Sequence, residues 1–221
     1  PDGDETGGGT GGLRPPLALV VLHSRGRPCY ISGRFFCFPD SSEEMIAVSP
    51  DHSPRVGILM GSDSDWPKIN AVAEALEQFG VPYEVNVMSA HRTPEAVQQY
   101  VASARDRGLG VIIAAAGGAA HLAGVAAAHT TLPVIGIPVP TALQGGLDSL
   151  LSTVQMPGDV PVATVGVGMG GPRNAGILAV QILAVADKGL AEKLVDFKRQ
   201  LADKIATKNA AFQAAMGRKP A

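Results

Sequence analysis

The sequence predicts an α/β fold from Arg55 onward, a three-layer α/β/α sandwich built on a mostly parallel sheet. Two observations carry this. Short apolar runs alternate with segments of helical apolar spacing, the pattern of repeated βαβ units. The later runs are almost continuously apolar, as strands covered by helices on both faces must be.

The first strand is Val56 to Met60. After it, Ile69, Val72, Ala73, Leu76 and Phe79 recur at i, i+3, i+4, i+7 spacing, a stripe that one helix would pack on the sheet. Val81, Tyr83, Val85 and Val87 then alternate with polar Glu84 and Asn86, which predicts a half-exposed strand at a sheet edge. Val111 to Ala116, Pro133 to Val139 and Val162 to Val167 read instead as strands buried on both faces. An edge second strand beside buried later ones suits the flavodoxin-like order 2-1-3-4-5. The last segment, Leu190 to Met216, sets Leu190, Leu194, Phe197, Leu201, Ile205 and Phe212 on a narrow stripe among charged and amide residues, predicting a protruding carboxyl-terminal helix. Such a stripe needs a partner, either its own domain or a neighbouring subunit.

At 221 residues, 46% hydrophobic and 17% charged, the chain is sized for one domain with a sizeable core plus extra segments. Eighteen basic against twenty acidic residues leave a formal charge of −2, so the cationic excess that nucleic acid or anionic lipid demands is missing and any anion must be held locally. No apolar run nears the roughly 20 residues that span a bilayer, and a soluble, cytoplasmic protein is expected. Residues 1–54 lack any sustained period and read as a disordered extension. Pro1 is no initiator and Met45 precedes the first strand, so this leader is expected to come from a start assigned too far upstream. Loss of folding on expression from Met45 would overturn that. Both cysteines, Cys29 and Cys37, lie in the leader, so the remainder has neither thiol catalysis nor an internal disulfide.

In an open parallel sheet, ligands bind beyond the carboxyl ends of the strands, where the strand order reverses. Three unusual loops belong there. In Gly61-Ser62-Asp63-Ser64-Asp65-Trp66-Pro67, glycine permits a tight turn, Ser64 or Asp65 can cap a helix, and Pro67 fits its first turn. Amides and hydroxyls at such a helix start favour phosphate, and Asp65 could accept from ribose hydroxyls; Ser and Asp at a helix start are more often mere caps, but two Ser and two Asp within four positions exceed capping needs. Ser89-Ala90-His91-Arg92-Thr93-Pro94-Glu95 follows the second strand, with Thr93 as its cap. Arg92 can grip phosphate bidentately and His91 can exchange protons near neutral pH, unless the pair is only a solvated surface. Ala116-Gly117-Gly118-Ala119-Ala120-His121-Leu122 closes the third strand with residues too small to shield its backbone, for ligand approach or for tight helix packing. His121 could be a hydrogen-bonded core histidine. The sequence has no metal-spaced cluster, no Gly-x-x-x-x-Gly-Lys-Ser/Thr loop and no serine in a nucleophile elbow. The residues alone point to a phosphorylated small molecule and one histidine.

Those three loops, together with Leu132 to Val139, Leu147 to Pro157 and Asn174-Ala-Gly176, resemble the phosphoribosylaminoimidazole carboxylase catalytic subunit family from Arg55 to about Asp187. The Gly-Gly-Ala-Ala-His-Leu loop and the Asp-Ser-Leu-Leu-Ser stretch resemble its first class, the N5-carboxyaminoimidazole ribonucleotide mutases, rather than the enzymes that carboxylate aminoimidazole ribonucleotide directly with carbon dioxide. Ala115 and Ala123 depart from it, standing where that class usually has Gly and Pro, and Gly170-Gly-Pro-Arg173 is unusual before Asn174. The resemblance implies an isomerase of purine biosynthesis with His91 as its acid/base. It implies that Ser62, Ser64 and Arg92 hold phosphate and Asp65 the ribose, while Ser89, Ala116, Gly117, Gly118, His121 and Leu122 surround the imidazole and its carboxylate. It implies no metal and no cofactor, a homo-octamer, and the ATP-dependent synthetase that makes the carbamate as a candidate partner. Residues 55–187 would then be the catalytic domain and 188–221 a helix at a subunit interface. The rivals are the direct carboxylase and a non-catalytic flavodoxin-like binding module, whose phospho-acceptor acids and late lysine this sequence lacks.

Overall fold

Apolar runs that water can reach on neither side form the middle of a parallel sheet. The structure, a computed structural model, describes residues 53–217, so the expectations for the leader and its cysteines lie outside the described residues apart from Ser53 and Pro54. Strands β1 (Val56–Met60), β2 (Tyr83–Val87), β3 (Val111–Ala116), β4 (Val134–Pro138) and β5 (Ala163–Thr164) stand in the order β2-β1-β3-β4-β5, all parallel. Val56 faces Tyr83 on one side and Val111 on the other, so β1 and β3 meet where the order reverses. Every residue of β1 and β4 is buried, whereas the edge strand β2 is only half-buried, with Val87 exposed.

Side-chain alternation divides the core between two layers. Val111, Ile113 and Ala115 of β3 join one cluster with Ile58, Leu76 and Val180, while Ile112 and Ala114 join the other with Leu59, Val97 and Leu122. The first layer holds α1 (Trp66–Ile69), α2 (Ala71–Phe79), α6 (Gly171–Ala184) and the start of α7 (Lys188–Ala215); the second holds α3 (Pro94–Ala102) and α4 (Leu122–Ala128), with α5 (Leu147–Val154) against β4. Helices α2 and α6 approach closely because Gly176 carries no side chain: a Cβ there would sit 2.7 Å from the Val72 carbonyl and 2.8 Å from Ala75 Cβ.

Three expectations need correcting. The run Val162 to Val167 is not a strand covered on both faces: only Ala163 and Thr164 pair, Ala163 is exposed, and the chain turns away at Gly166 with φ +142°. The reason is position, since β5 has β4 on one side and none of the described strands on the other. The single helix expected over Ile69 to Phe79 is interrupted at Asn70. Neither Asp65 nor Thr93 caps a helix with its side chain; Ser62 does so instead, accepting from the Ser64 amide at the start of a 3-10 turn over Asp63–Asp65.

The carboxyl-terminal stripe divides in two. Leu190 and Phe197 are buried on the domain, and Phe197 meets the Phe79 ring edge-on at 5.3 Å between centroids. Leu201, Ile205 and Phe212 are uncovered at 41%, 64% and 60% exposure. Asp187 caps α7 by accepting from the Leu190 amide and binds Arg55 at 2.6 Å, tying that helix to the start of β1.

Candidate active site

Strands β1, β2, β3 and β4 each end at the same rim, and the segments that follow them line a cavity of about 510 Å³. Gly61, Ser62 and Asp65 come from the first loop, and Ser89, His91 and Arg92 from the second. Ala116, Gly117 and Leu122 come from the third. A smaller hollow of about 310 Å³ shares Gly61, Ser62, Ser89 and Arg92, so Arg92 serves both spaces.

Side chains stitch these loops together. Arg92 donates from Nη2 to the Gly61 carbonyl at 2.6 Å and from Nε to Ser89 Oγ at 3.3 Å, joining the first loop to the second. His91 Nε2 lies 2.8 Å from His121 Nδ1, with the rings nearly perpendicular, joining the second to the third. One of those two nitrogens carries the proton of this hydrogen bond and the other accepts it. Thr93, relieved of capping, accepts from the Ser89 amide at 3.0 Å and donates to the Ser89 carbonyl at 3.1 Å, closing the turn that projects His91.

Of the residues expected at the site, Ser62, Asp65, Ser89, His91, Arg92, Ala116, Gly117 and Leu122 line the cavity, and three others do not. Ser64 bonds to Ser62 Oγ at 2.8 Å and His121 reaches the cavity through His91. Gly118 has φ +68° and its amide is taken by Ser149. Sequence reasoning about the site missed Lys68 and Val139-Pro140-Thr141. The latter follow β4 directly, so the rule that strand ends line the crevice could have found them. Lys68 gave no signal beyond its place in the first turn after Pro67.

Charge at the rim is mixed. Partial burial pushes the Asp65 carboxyl above its ordinary range, while Lys68 draws it back and Asp63 adds to the rise. Outside the cavity, behind Thr141, hydrogen bonds from Thr141 and then from the Ser149 amide hold the Asp148 carboxyl below its ordinary range. Against these, Arg92 and Lys68 are the cations lining the cavity, and Leu122, Val139 and Pro140 add apolar surface to its lining. Among the described residues no group of three or more His, Cys, Asp and Glu could hold a metal ion.

Fold and site together define a flavodoxin-like α/β enzyme whose crevice at the switch point presents an imidazole pair beside an arginine and a hydroxyl-rich helix start. The pattern of the AIR carboxylase family matches residues 55–204, running past Asp187 into α7, and the chain belongs to that family. A Mycobacterium tuberculosis (strain H37Rv) protein named N5-carboxyaminoimidazole ribonucleotide mutase is 57% identical over 165 residues, covering 75% of this chain and 94% of its own length. The Bacillus subtilis (strain 168) protein of the same name is 57% identical over 141 residues, 64% of this chain and 87% of its own. The crystal structure of Treponema denticola PurE superposes with a TM-score of 0.64 at 30% identity, over 72% of this chain and 98% of that one.

Proposed function

We propose that this chain is an N5-carboxyaminoimidazole ribonucleotide mutase, an isomerase that converts the N5-carbamate into 4-carboxy-5-aminoimidazole ribonucleotide in purine biosynthesis. One observation carries the reading: His91 stands at the rim of a cavity shared with Ser62, Asp65, Arg92 and a small-residue apolar loop, in a chain 57% identical to proteins bearing that name.

In this reading Ser62, with Ser64 behind it, and Arg92 hold the phosphate, and Asp65 accepts from the ribose hydroxyls. Ser89, Ala116, Gly117 and Leu122 surround the imidazole ring, Gly118 supports that loop from outside the cavity, and His121 orients His91. The carbamate N–C bond breaks, the exocyclic nitrogen takes a proton from the His91 imidazolium, and carbon dioxide is released. Ring carbon C4 then bonds to that carbon dioxide, and His91 removes the C4 proton, restoring aromaticity and its own starting state. One proton leaves and one returns, so a single imidazole serves both steps. Between them the gas must wait beside C4, which the apolar lining of Leu122, Val139 and Pro140 favours. No residue in this account binds a metal or cofactor.

We place the enzyme in the cytoplasm as a homo-oligomer, an octamer by its family resemblance, with the carbamate-forming synthetase as a candidate partner. No helix among the described residues is long and apolar enough to cross a membrane, and the exposed half of α7 supplies apolar surface for a second subunit. The test is direct: purified protein incubated with the N5-carbamate ribonucleotide yields the C4 carboxylate. Product formed only from aminoimidazole ribonucleotide plus carbon dioxide would identify the direct carboxylase instead.

A further inference from the structure

Helix α5 lines no part of the cavity with its own side chains, yet it holds the backbone of two loops that do. Ser149 is fully buried, and its hydroxyl is committed in both directions: it donates to the Val139 carbonyl at 2.7 Å and accepts from the Gly118 amide at 2.9 Å. One oxygen therefore bridges the segment after β4 to the segment after β3. Ser152, one turn on, shares its single proton between the Asp148 carbonyl at 2.6 Å and the Gly118 carbonyl at 3.0 Å, so both polar groups of the Gly118 backbone are engaged by α5. Thr141 fixes the helix start by donating to Asp148 Oδ1 at 2.6 Å, and the Ser149 amide donates to the same oxygen at 2.8 Å.

Gly118 needs such fixing. Its φ of +68° is left-handed, and nothing lies within 4 Å of where its side chain would be, so no packing on that side restrains it. The neighbouring Gly117 lines the cavity, and a Cβ there would lie 3.4 Å from Thr141 Cγ2 and 3.5 Å from Val139 Cβ. A loop of two glycines held by packing alone would sample many conformations, because glycine restricts neither sign of φ. A hydrogen bond between buried partners removes that freedom at a definite position.

We propose that Ser149, supported by Ser152, is a positioning residue for carboxyl transfer: it locks the Gly117–Gly118 wall so that released carbon dioxide stays beside C4 until it is captured. The proposal rests on the mutase reading. When the wall is loose, the carbamate N–C bond still breaks and the nitrogen still takes its proton from His91. The gas then leaves to solvent, aminoimidazole ribonucleotide is the product, and His91 is reprotonated from water. A mispositioned wall thus changes which product forms, whereas a merely less stable protein changes only how much enzyme is active.

The experiment measures the ratio of C4 carboxylate to aminoimidazole ribonucleotide produced from the N5-carbamate, corrected for loss without enzyme, in wild type, Ser149→Ala and Ser152→Ala. Wild type is expected to give mainly the carboxylate. Ser149→Ala is expected to lose roughly 10- to 100-fold in carboxylate formation, the scale on which small misplacements act, with aminoimidazole ribonucleotide becoming the major product. Ser152→Ala is expected to shift the ratio the same way by less, and being only partly buried it carries the test should Ser149→Ala fail to fold. A wild-type ratio in Ser149→Ala, or in Ser152→Ala if that is the folded variant, overturns the proposal while leaving the mutase reading intact. Wild type making no carboxylate from the carbamate overturns both.

Discussion

His91 is placed by backbone and by ring. The turn closed by Thr93 on Ser89 sets its Cα, and His121 Nδ1 at 2.8 Å fixes the orientation of its imidazole. His91 Nε2 thus faces another imidazole rather than a carboxylate. His91→Asn removes the proposed proton carrier and keeps a polar group of similar reach. Turnover is expected to fall by roughly 100- to 10,000-fold, while calorimetric affinity for the C4 carboxylate product stays within a few-fold of wild type. Residual turnover near the wild-type rate would remove His91 from the chemistry.

The elements matter chiefly through their ends. Strands β1 and β3 carry loops that meet because they are neighbours, and α7 is fastened to the start of β1 through Asp187, which accepts from Arg55 and from the Leu190 amide. The Arg55 guanidinium and then the Leu190 amide hold the Asp187 carboxyl below its ordinary range. The sign follows from linkage: a depressed carboxyl contributes stability that is present above its unfolded value and lost as pH falls through the folded one. Asp187→Asn keeps the cap acceptor and removes the charge. Its urea midpoint is therefore expected below wild type at about pH 7, with the two curves converging below about pH 4. A gap that persists in acid would show that the charge is not what joins α7 to β1.

For the whole molecule, the unanswered surface is the outer half of α7. Leu201, Ile205 and Phe212 lie exposed beyond the point where Phe197 meets Phe79, and apolar groups repeated along a helix call for a covering partner. Replacing all three with Gln is expected to lower the native mass measured by light scattering, with helical circular dichroism at the monomer core retained. An unchanged mass would show that this stripe is not a contact between subunits.

The pattern of apolar residues determined the layers and the strand order, because burial on both faces or one writes itself into periods that can be read locally. Thus β1 and β3 were legible to the residue, and the edge position of β2 came from its alternation with Glu84 and Asn86. Most of the cavity was legible too, since glycine, hydroxyl and histidine clusters at strand ends have few purposes. Tertiary structure alone decided the rest. An apolar run does not say how far a neighbouring strand extends, so β5 shrank to Ala163 and Thr164. A hydroxyl does not reveal its hydrogen-bond partner, so Ser62 rather than Asp65 became the cap, and Ser149 took charge of Gly118 from 31 residues away. Hydrogen-bond partners distant in the chain leave no local period, and only the folded chain pairs His91 with His121.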